Sequence, residues 1–409
     1  MKHLAKFKLS NLVLLVGVCL GFCIAEVASG QTKLPEVVDV TVDPYAEMDE
    51  ATLKMKFDAA IEELRECVKE AKHAEMTHFH VDSETALEYR EKWEEAADRG
   101  KKVRDKTIAI ALTLFQKTKN PSRDLSGIVL ATYARLYTEG KLELCSRLTQ
   151  KLSEQFPEGK EENEGVTIDL ARGSAMTNDF ERAVNFMKTR IKVVQKLPRL
   201  EQGVFYDSKA LLANWIGELE IREAEAKADD LPRVELETSK GKIVIELFEN
   251  EAPETVANFI SLVEAGFYDD VIFHRSIKNY VAHAGRMTFN RLQPTGYTIY
   301  DEHKKPNARH HFRGSLSMVV NPEIPNSGTS EFYILRSPFS VLDQYHTVFG
   351  RVISDMQVVD ALQETWTLNE EGVEEGIKDV TPDMILSAKV IRKRDHAYEP
   401  NRVKEDDKK

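Results

Sequence analysis

Three histidines, His73, His78 and His80, lie close enough in sequence for their imidazole nitrogens to converge on a metal ion. Asp82 is the only carboxylate near them at a metal-site spacing, and no thiol is. Histidines gathered at a helix end are more simply read as solvated side chains, so no metal ligand is assigned to them and no cofactor is expected. The four cysteines give a second candidate chemistry. Cys19 and Cys23 sit in an apolar leader, which leaves Cys67 and Cys145 either to pair or to stay as two buried thiols. The sequence leaves both readings open. Basic clusters are short: Lys2, Lys6 and Lys8 at the start, and Arg392, Lys393 and Arg394 near the end. With a formal net charge of -12, the chain repels phosphate backbones, and nucleic acid is excluded as a partner.

The elements that carry these residues fall into distinct regions. A charged start, an apolar run from Leu12 to Ala25 and small residues at Ala28-Ser29-Gly30 have the order of a secretory signal peptide, expected over residues 1–30. The run is short for a membrane span, so stable membrane insertion is not expected. Export implies a periplasmic or extracellular protein. Cleavage after Gly30 removes Lys2, Lys6, Lys8 and Glu26 and makes the balance still more acidic. At 409 residues the chain exceeds one ordinary core, and two folded units are expected.

Residues 31–230 read as all-α. Helices are expected over Met48–Lys72, Thr85–Lys106, Thr107–Lys117, Leu125–Glu139, Lys141–Gln155, Thr167–Met176, Asp179–Lys196 and Ser208–Lys227. Short connections between them suggest helix hairpins, with some tetratricopeptide-like character from Tyr133 to Lys188. The run Ala228-Asp229-Asp230-Leu231-Pro232 is the expected boundary. Beyond it, alternating segments predict strands at Arg233–Thr238, Lys242–Leu247, Val271–Arg275, Val281–Gly285, Gly314–Val320, Glu331–Leu335, His346–Val352 and Met384–Arg392. Pro253 and Gly266 bracket one helix and Asp355–Glu364 forms another. Such a pattern predicts a closed antiparallel β-barrel capped by two helices over residues 231–395. The acidic stretch Asn369–Asp379 reads as a solvated loop, and residues 396–409 as a disordered charged tail.

Several segments of this second region occur in a recognisable order: Phe273-His274-Arg275-Ser276-Ile277, Gly314-Ser315-Leu316-Ser317-Met318, Thr329-Ser330-Glu331-Phe332-Tyr333-Ile334 and Leu342-Asp343-Gln344-Tyr345-His346-Thr347-Val348-Phe349-Gly350. Together with Asn258-Phe259 and Gly296-Tyr297-Thr298-Ile299, they resemble the successive signatures of cyclophilins, from about Pro232 to Arg394. The resemblance implies a peptidyl-prolyl cis/trans isomerase that needs no metal or cofactor. It makes Arg275 the catalytic guanidinium, with His283 beside it. Tyr280, Val281, Val319, Glu331, Tyr333, Leu342 and His346 then bind the substrate. The implied partners are proline-containing polypeptides, with further protein partners through the helical domain.

Against the family pattern, His283 and Glu331 replace glutamines, Tyr280 and Tyr333 replace phenylalanines, and Val341 stands where a large side chain is common. An ion pair between Glu331 and Arg275 would occupy the catalytic donor. Two functions therefore stand side by side. One is an isomerase assisting the folding of exported proteins. The other is a weakly active or inactive module that binds proline-containing segments.

Overall fold

A computed structural model describes residues 43–78, 83–156, 164–289, 292, 294–354, 356–369 and 372–403. The expected signal peptide, His80, Asp82 and the tail beyond Val403 lie outside the described residues. The chain divides into two compact units: Met1–Arg135 with Gln150–Asp169, and Leu136–Thr149 with Leu170–Lys409.

The first unit is built on α1 (Glu50–His78) and α2 (Ser83–Lys117). Asp49 caps α1 by accepting the Thr52 amide at 2.9 Å and the Thr52 hydroxyl at 2.7 Å. Leu53, Phe57, Ala60, Leu64, Val68 and Ala71 recur at three- and four-residue steps and are buried. The break expected before Thr107 is absent. Its hydroxyl donates to the Val103 carbonyl at 2.7 Å, one helical turn back, and the two expected helices are one. Cys67 packs with Leu64, Val68 and Val103 and accepts Arg99 Nε at 3.2 Å. Cys67 and Cys145 are both buried free thiols. His73 lies on the exposed side of α1.

The following helices are α3 (Arg123–Thr138), α4 (Leu142–Gln155), α5 (Glu164–Met176), α6 (Phe180–Val194) and α7 (Arg199–Ala228). Helix lengths run from 13 residues in α5 to 35 in α2, so no common repeat length supports a tetratricopeptide-like array. Among the described residues no helix is long and apolar enough to cross a membrane.

The second unit holds eleven strands among the described residues: β1 (Arg233–Thr238), β2 (Gly241–Leu247), β3 (Val271–Ile272), β4 (Arg275–Ile277), β5 (Val281–Ala284), β6 (Ser315–Met318), β7 (Phe332–Leu335), β8 (Val348–Val352), β9 (Trp366–Leu368), β10 (Glu374–Gly376) and β11 (Met384–Arg392). Their order is β10-β9-β4-β5-β7-β6-β8-β2-β1-β11-β3. Among the described residues only β4 and β9 run parallel. The expected closed barrel is instead a curled sheet. Among the described residues its end strands β10 and β3 pair on one side only. These ends are three and two residues long, too short to extend a ladder around a ring.

The sheet wraps an apolar core that includes Leu236, Ile245, Ala282, Ile334 and Phe349. Helix α8 (Pro253–Glu264) lays Val256, Phe259, Ile260 and Val263 into it. Pro253 opens α8, and the buried Glu302 carboxylate accepts the Thr255 amide at 2.8 Å and its hydroxyl at 2.7 Å. The second expected helix shrinks to α9 (Gln357–Asp360).

Two further expectations change. The boundary expected at residue 230 marks a change from helix to strand, yet α6 and α7 belong to the same compact unit as the sheet. The cause is a buried ionic ladder. Glu218 of α7 receives Arg309 through two bonds of 2.8 Å, and Glu225 takes Arg309 and Arg351 at 2.6 Å each. Arg351 then reaches Glu246 of β2 at 2.6 Å. The tail is also held as far as Val403. Tyr398 donates to Glu249 at 2.7 Å, Asn401 N donates to Glu254 at 2.8 Å, and Val403 N donates to the Thr298 carbonyl at 2.9 Å.

Candidate active site

Strands β4 and β5 form a hairpin whose turn includes Asn279 in the left-handed region (φ 54°). Its register sets Arg275 opposite His283. The next pairings set His283 opposite Tyr333 and Tyr333 opposite Ser317. Because opposed residues in a sheet share a face, Arg275, His283, Tyr333 and Ser317 form a row across four strands. The backbone beside Arg275 is pinned from behind. The amide of Ser276 donates to Thr365 Oγ1 at 2.9 Å, and the buried Arg336 guanidinium donates to the Ser276 hydroxyl at 2.9 Å.

Beside this row lies an apolar cluster of Ile277, Val281, Tyr333 and Leu335, flanked by Tyr280, Val319, Phe339, Leu342, Trp366 and Leu368. Five residues assigned to substrate binding, Tyr280, Val281, Val319, Tyr333 and Leu342, thus come together. His346 joins at the edge, with its ring centroid 5.5 Å from that of Tyr333. Its Nδ1 donates to the Met318 carbonyl at 3.1 Å, and burial pushes its pKa down to about 4, so it is neutral at ordinary pH. Trp366 and Leu368 were not assigned from sequence. They sit on β9, which was not predicted as a strand. Val341 is exposed.

Tyr333 is fixed at its ring and at its hydroxyl. Its ring stacks on His283 at 5.1 Å and lies nearly parallel to His311, whose centroid is 6.1 Å away. Asp343 accepts His310 Nδ1 at 2.8 Å and His311 Nδ1 at 2.7 Å. With its proton on Nδ1, the fully buried His311 accepts the Tyr333 hydroxyl at Nε2, 2.9 Å away. The Asp343–His311–Tyr333 chain has no counterpart in the sequence assignments. Only the fold brings its members together.

The charges are arranged differently from the expectation. Glu331 does not pair with Arg275. It accepts His274 Nε2 at 2.9 Å and Arg286 at 3.1 Å, and lies 3.9 Å from His283 Nδ1. Burial alone would raise its pKa, but the His274 bond, the nearby His283 ring and the Arg286 charge outweigh this and hold the carboxyl well below the usual range. Arg275 is clasped by Glu374, whose Oε2 accepts Arg275 Nε at 2.8 Å while Oε1 accepts the second nitrogen. Glu374 lies on β10, inside the stretch expected to be a free loop. That stretch folds back because β10 pairs with β9 and β9 pairs with β4, which brings the acidic strand beside the arginine.

The remaining Arg275 nitrogen, NH1, lies 2.6 Å from His283 Nε2. A guanidinium can only donate, so Nε2 accepts and the ring carries its proton on Nδ1. Burial, reinforced by the Arg275 charge, pushes His283 down to about 4, so the ring is neutral at ordinary pH. The Arg275 guanidinium also sits 5.8 Å from the Tyr280 ring centroid. A groove of about 390 Å³ is lined by residues that include Arg286, Tyr297, Thr329 and Glu331. Among the described residues, His274, His283 and Glu331 form a group whose ligand atoms are close enough to hold a metal ion.

The site thus sets a guanidinium beside an apolar cluster on a curled sheet. Comparisons with known proteins agree. The family described as cyclophilin type peptidyl-prolyl cis-trans isomerase/CLD matches residues 233–390. Peptidyl-prolyl cis-trans isomerase-like 1 of Aspergillus niger is 36% identical over 162 residues, covering 39% of this chain and 94% of that protein. Peptidyl-prolyl cis-trans isomerase ppi1 of Schizosaccharomyces pombe is 41% identical over 132 residues, covering 31% of this chain and 83% of that protein. Among solved structures, a cyclophilin-type isomerase of Cryptosporidium parvum matches with 22% identity and a TM-score of 0.33, covering 40% of this chain and 99% of that one. This chain belongs to the cyclophilin-type peptidyl-prolyl cis-trans isomerases, and its isomerase domain is the curled-sheet region.

Proposed function

We propose that Arg275 is the catalytic donor of this isomerase, and that its substrates are X–Pro segments of exported proteins. The two isomers of an X–Pro bond differ by about 0.5–1 kcal/mol but exchange over tens to hundreds of seconds, because amide resonance must be broken. In the twisted state the prolyl nitrogen regains a lone pair. A donor preplaced at that nitrogen stabilises the twisted state and not the planar one. Tyr280, Val281, Val319, Tyr333, Leu342 and His346 hold the proline ring, and His283 keeps the guanidinium aimed by accepting one of its protons. Glu331 acts indirectly, through His274 and His283.

The observation that carries this reading is the Arg275–His283–Tyr333 row, which sets one guanidinium at the rim of the apolar cluster. The test is the cis-to-trans relaxation of a short X–Pro peptide with the full chain and its Arg275→Ala variant. Removal of one preorganised donor is expected to lower kcat/KM on the order of 10²–10³-fold. An undiminished rate in a folded variant overturns the assignment.

Action on exported proteins, in a periplasmic or extracellular compartment, is supported by the signal-peptide pattern of residues 1–30. The helical region, including any stacked helix pairs, is the candidate surface for holding clients. A second reading is supported by the Glu374 clasp. With two guanidinium nitrogens already occupied, the pocket binds proline-containing segments while turning them over slowly.

A further inference from the structure

The geometry points to a binding site for a divalent transition-metal ion, of the zinc class, formed by His274, His283 and Glu331 at the edge of the isomerase pocket. Three adjacent stretches of the sheet supply the donors. His274 immediately precedes β4, His283 lies on β5, and Glu331 immediately precedes β7. One ligand atom from each lies within 4.8 Å of the other two. His274 Nε2 is 2.9 Å from Glu331 Oε1, and His283 Nδ1 is 3.9 Å from the same oxygen. A tetrahedral ion with bonds of about 2.1 Å places its ligands about 3.4 Å apart, so the 2.9 Å and 3.9 Å spacings to Glu331 each need to change by only about 0.5 Å.

Two imidazoles and a carboxylate suit zinc and its neighbours better than calcium or magnesium. Glu331 also lines the 390 Å³ groove, which gives an ion and its water ligand a route from solvent. Independently of this spacing, His274 Nδ1 is buried with no hydrogen-bond partner. While Nε2 donates to Glu331, Nδ1 is a bare, unused acceptor. When Nε2 ligates an ion, the proton moves to Nδ1. Ligation through Nε2 therefore leaves a buried Nδ1–H with no protein acceptor, a cost that the metal bond or an entering water must offset.

The charges around the site oppose a cation in part. Arg286 reaches Glu331 from the groove side but is half exposed, and the Arg275 charge is matched by Glu374. The conflict with Arg275 is specific. A neutral His283 that ligates through Nδ1 carries its proton on Nε2, where it meets the Arg275 NH1 that now stands 2.6 Å away. Metal binding therefore removes the acceptor that aims Arg275. The ion and the aimed guanidinium exclude one another, and by linkage each weakens the other. Inhibition of the isomerase by the ion rests on Arg275 being the catalytic donor, whereas the binding itself does not.

The experiment titrates Co²⁺ into the metal-free full chain and follows its visible absorption, then displaces it with Zn²⁺. The parent should develop the d–d bands of a low-coordinate site at one ion per chain. His274→Ala and Glu331→Gln, each checked for an unchanged melting curve, should weaken the ion on the order of 100-fold. Absence of these bands in the parent overturns the site, as does equal Co²⁺ binding by both variants, which would place the ion elsewhere. Zn²⁺ should also slow isomerisation by the parent in proportion to site occupancy. A bound ion that leaves the rate untouched overturns the exclusion of Arg275.

Discussion

Arg275 is held by three acceptor atoms, Nε2 of His283 and both carboxylate oxygens of Glu374, before any substrate arrives. A substrate nitrogen must compete with the carboxylate, and a partly exposed ion pair is worth about 1 kcal/mol or less. Glu374→Gln should therefore raise kcat/KM by roughly 3- to 5-fold at low ionic strength and less at high salt. A fall in kcat/KM would mean instead that Glu374 positions the arginine. Asp343 supports a second prediction. Burial works to raise its pKa, but its bonds with His310 and His311 lower it to about 2, against 3.8 for the free group. A depressed carboxylate stabilises the fold above its unfolded pKa and loses that contribution as pH falls toward the folded value. The stabilisation, about 2 kcal/mol at most, should vanish between about pH 4 and pH 2. Comparing urea midpoints of the parent and Asp343→Asn at neutral and acid pH checks this, since the gap between them should close on acidification. At this scale the sequence was informative about Arg275, His283 and the pocket wall, because they stand in contiguous motifs. It placed the wrong carboxylate on Arg275, because Glu374 is 99 residues away and reaches the site only through two short strands.

The strands that carry the site leave little room behind them. Gly285 closes β5 with φ 102°, and a Cβ there would come within 2.3 Å of the Ser330 carbonyl oxygen. Gly285→Ala should cost about 2 kcal/mol or more in urea unfolding, by strain and by pushing β5 away from β7. A variant as stable as the parent would show that the loop at Ser330 yields freely. The displaced β5 also moves His283 off Arg275, so activity should fall with stability. Element boundaries were readable where a pattern ran long enough. β1 and β11 have the predicted limits, and α8 has the predicted apolar face. The β9–β10 hairpin was missed because each strand spans only three residues and the intervening sequence is acidic and polar. The sequence reading divides the run at Thr107, a residue type that favours helix starts. Its hydroxyl satisfies a carbonyl of the same helix instead.

Composition and length pointed to two units divided near residue 230, whereas the compact units divide elsewhere, and the switch from 3.6-residue to two-residue periodicity is a poor guide to where the second begins. Periodicity reports local geometry, whereas the unit is defined by what packs and pairs over long separations, such as Glu225 with Arg351, 126 residues apart. Glu225→Gln leaves Arg309 and Arg351 short of a buried counter-charge. It should lower the stability of the second unit by about 3–5 kcal/mol. Thermal unfolding followed by calorimetry should move one transition and leave the first unit's in place; a shift of both, or of neither, would contradict the separation. The same ladder limits how this fold can be recombined. A graft that begins at Pro232 transplants Arg309 and Arg351 without Glu218 and Glu225, whereas one that begins at Arg199 carries both carboxylates along. The heritable module is therefore a helix and a sheet together, and the residues before the first strand are part of what any shuffled descendant must keep.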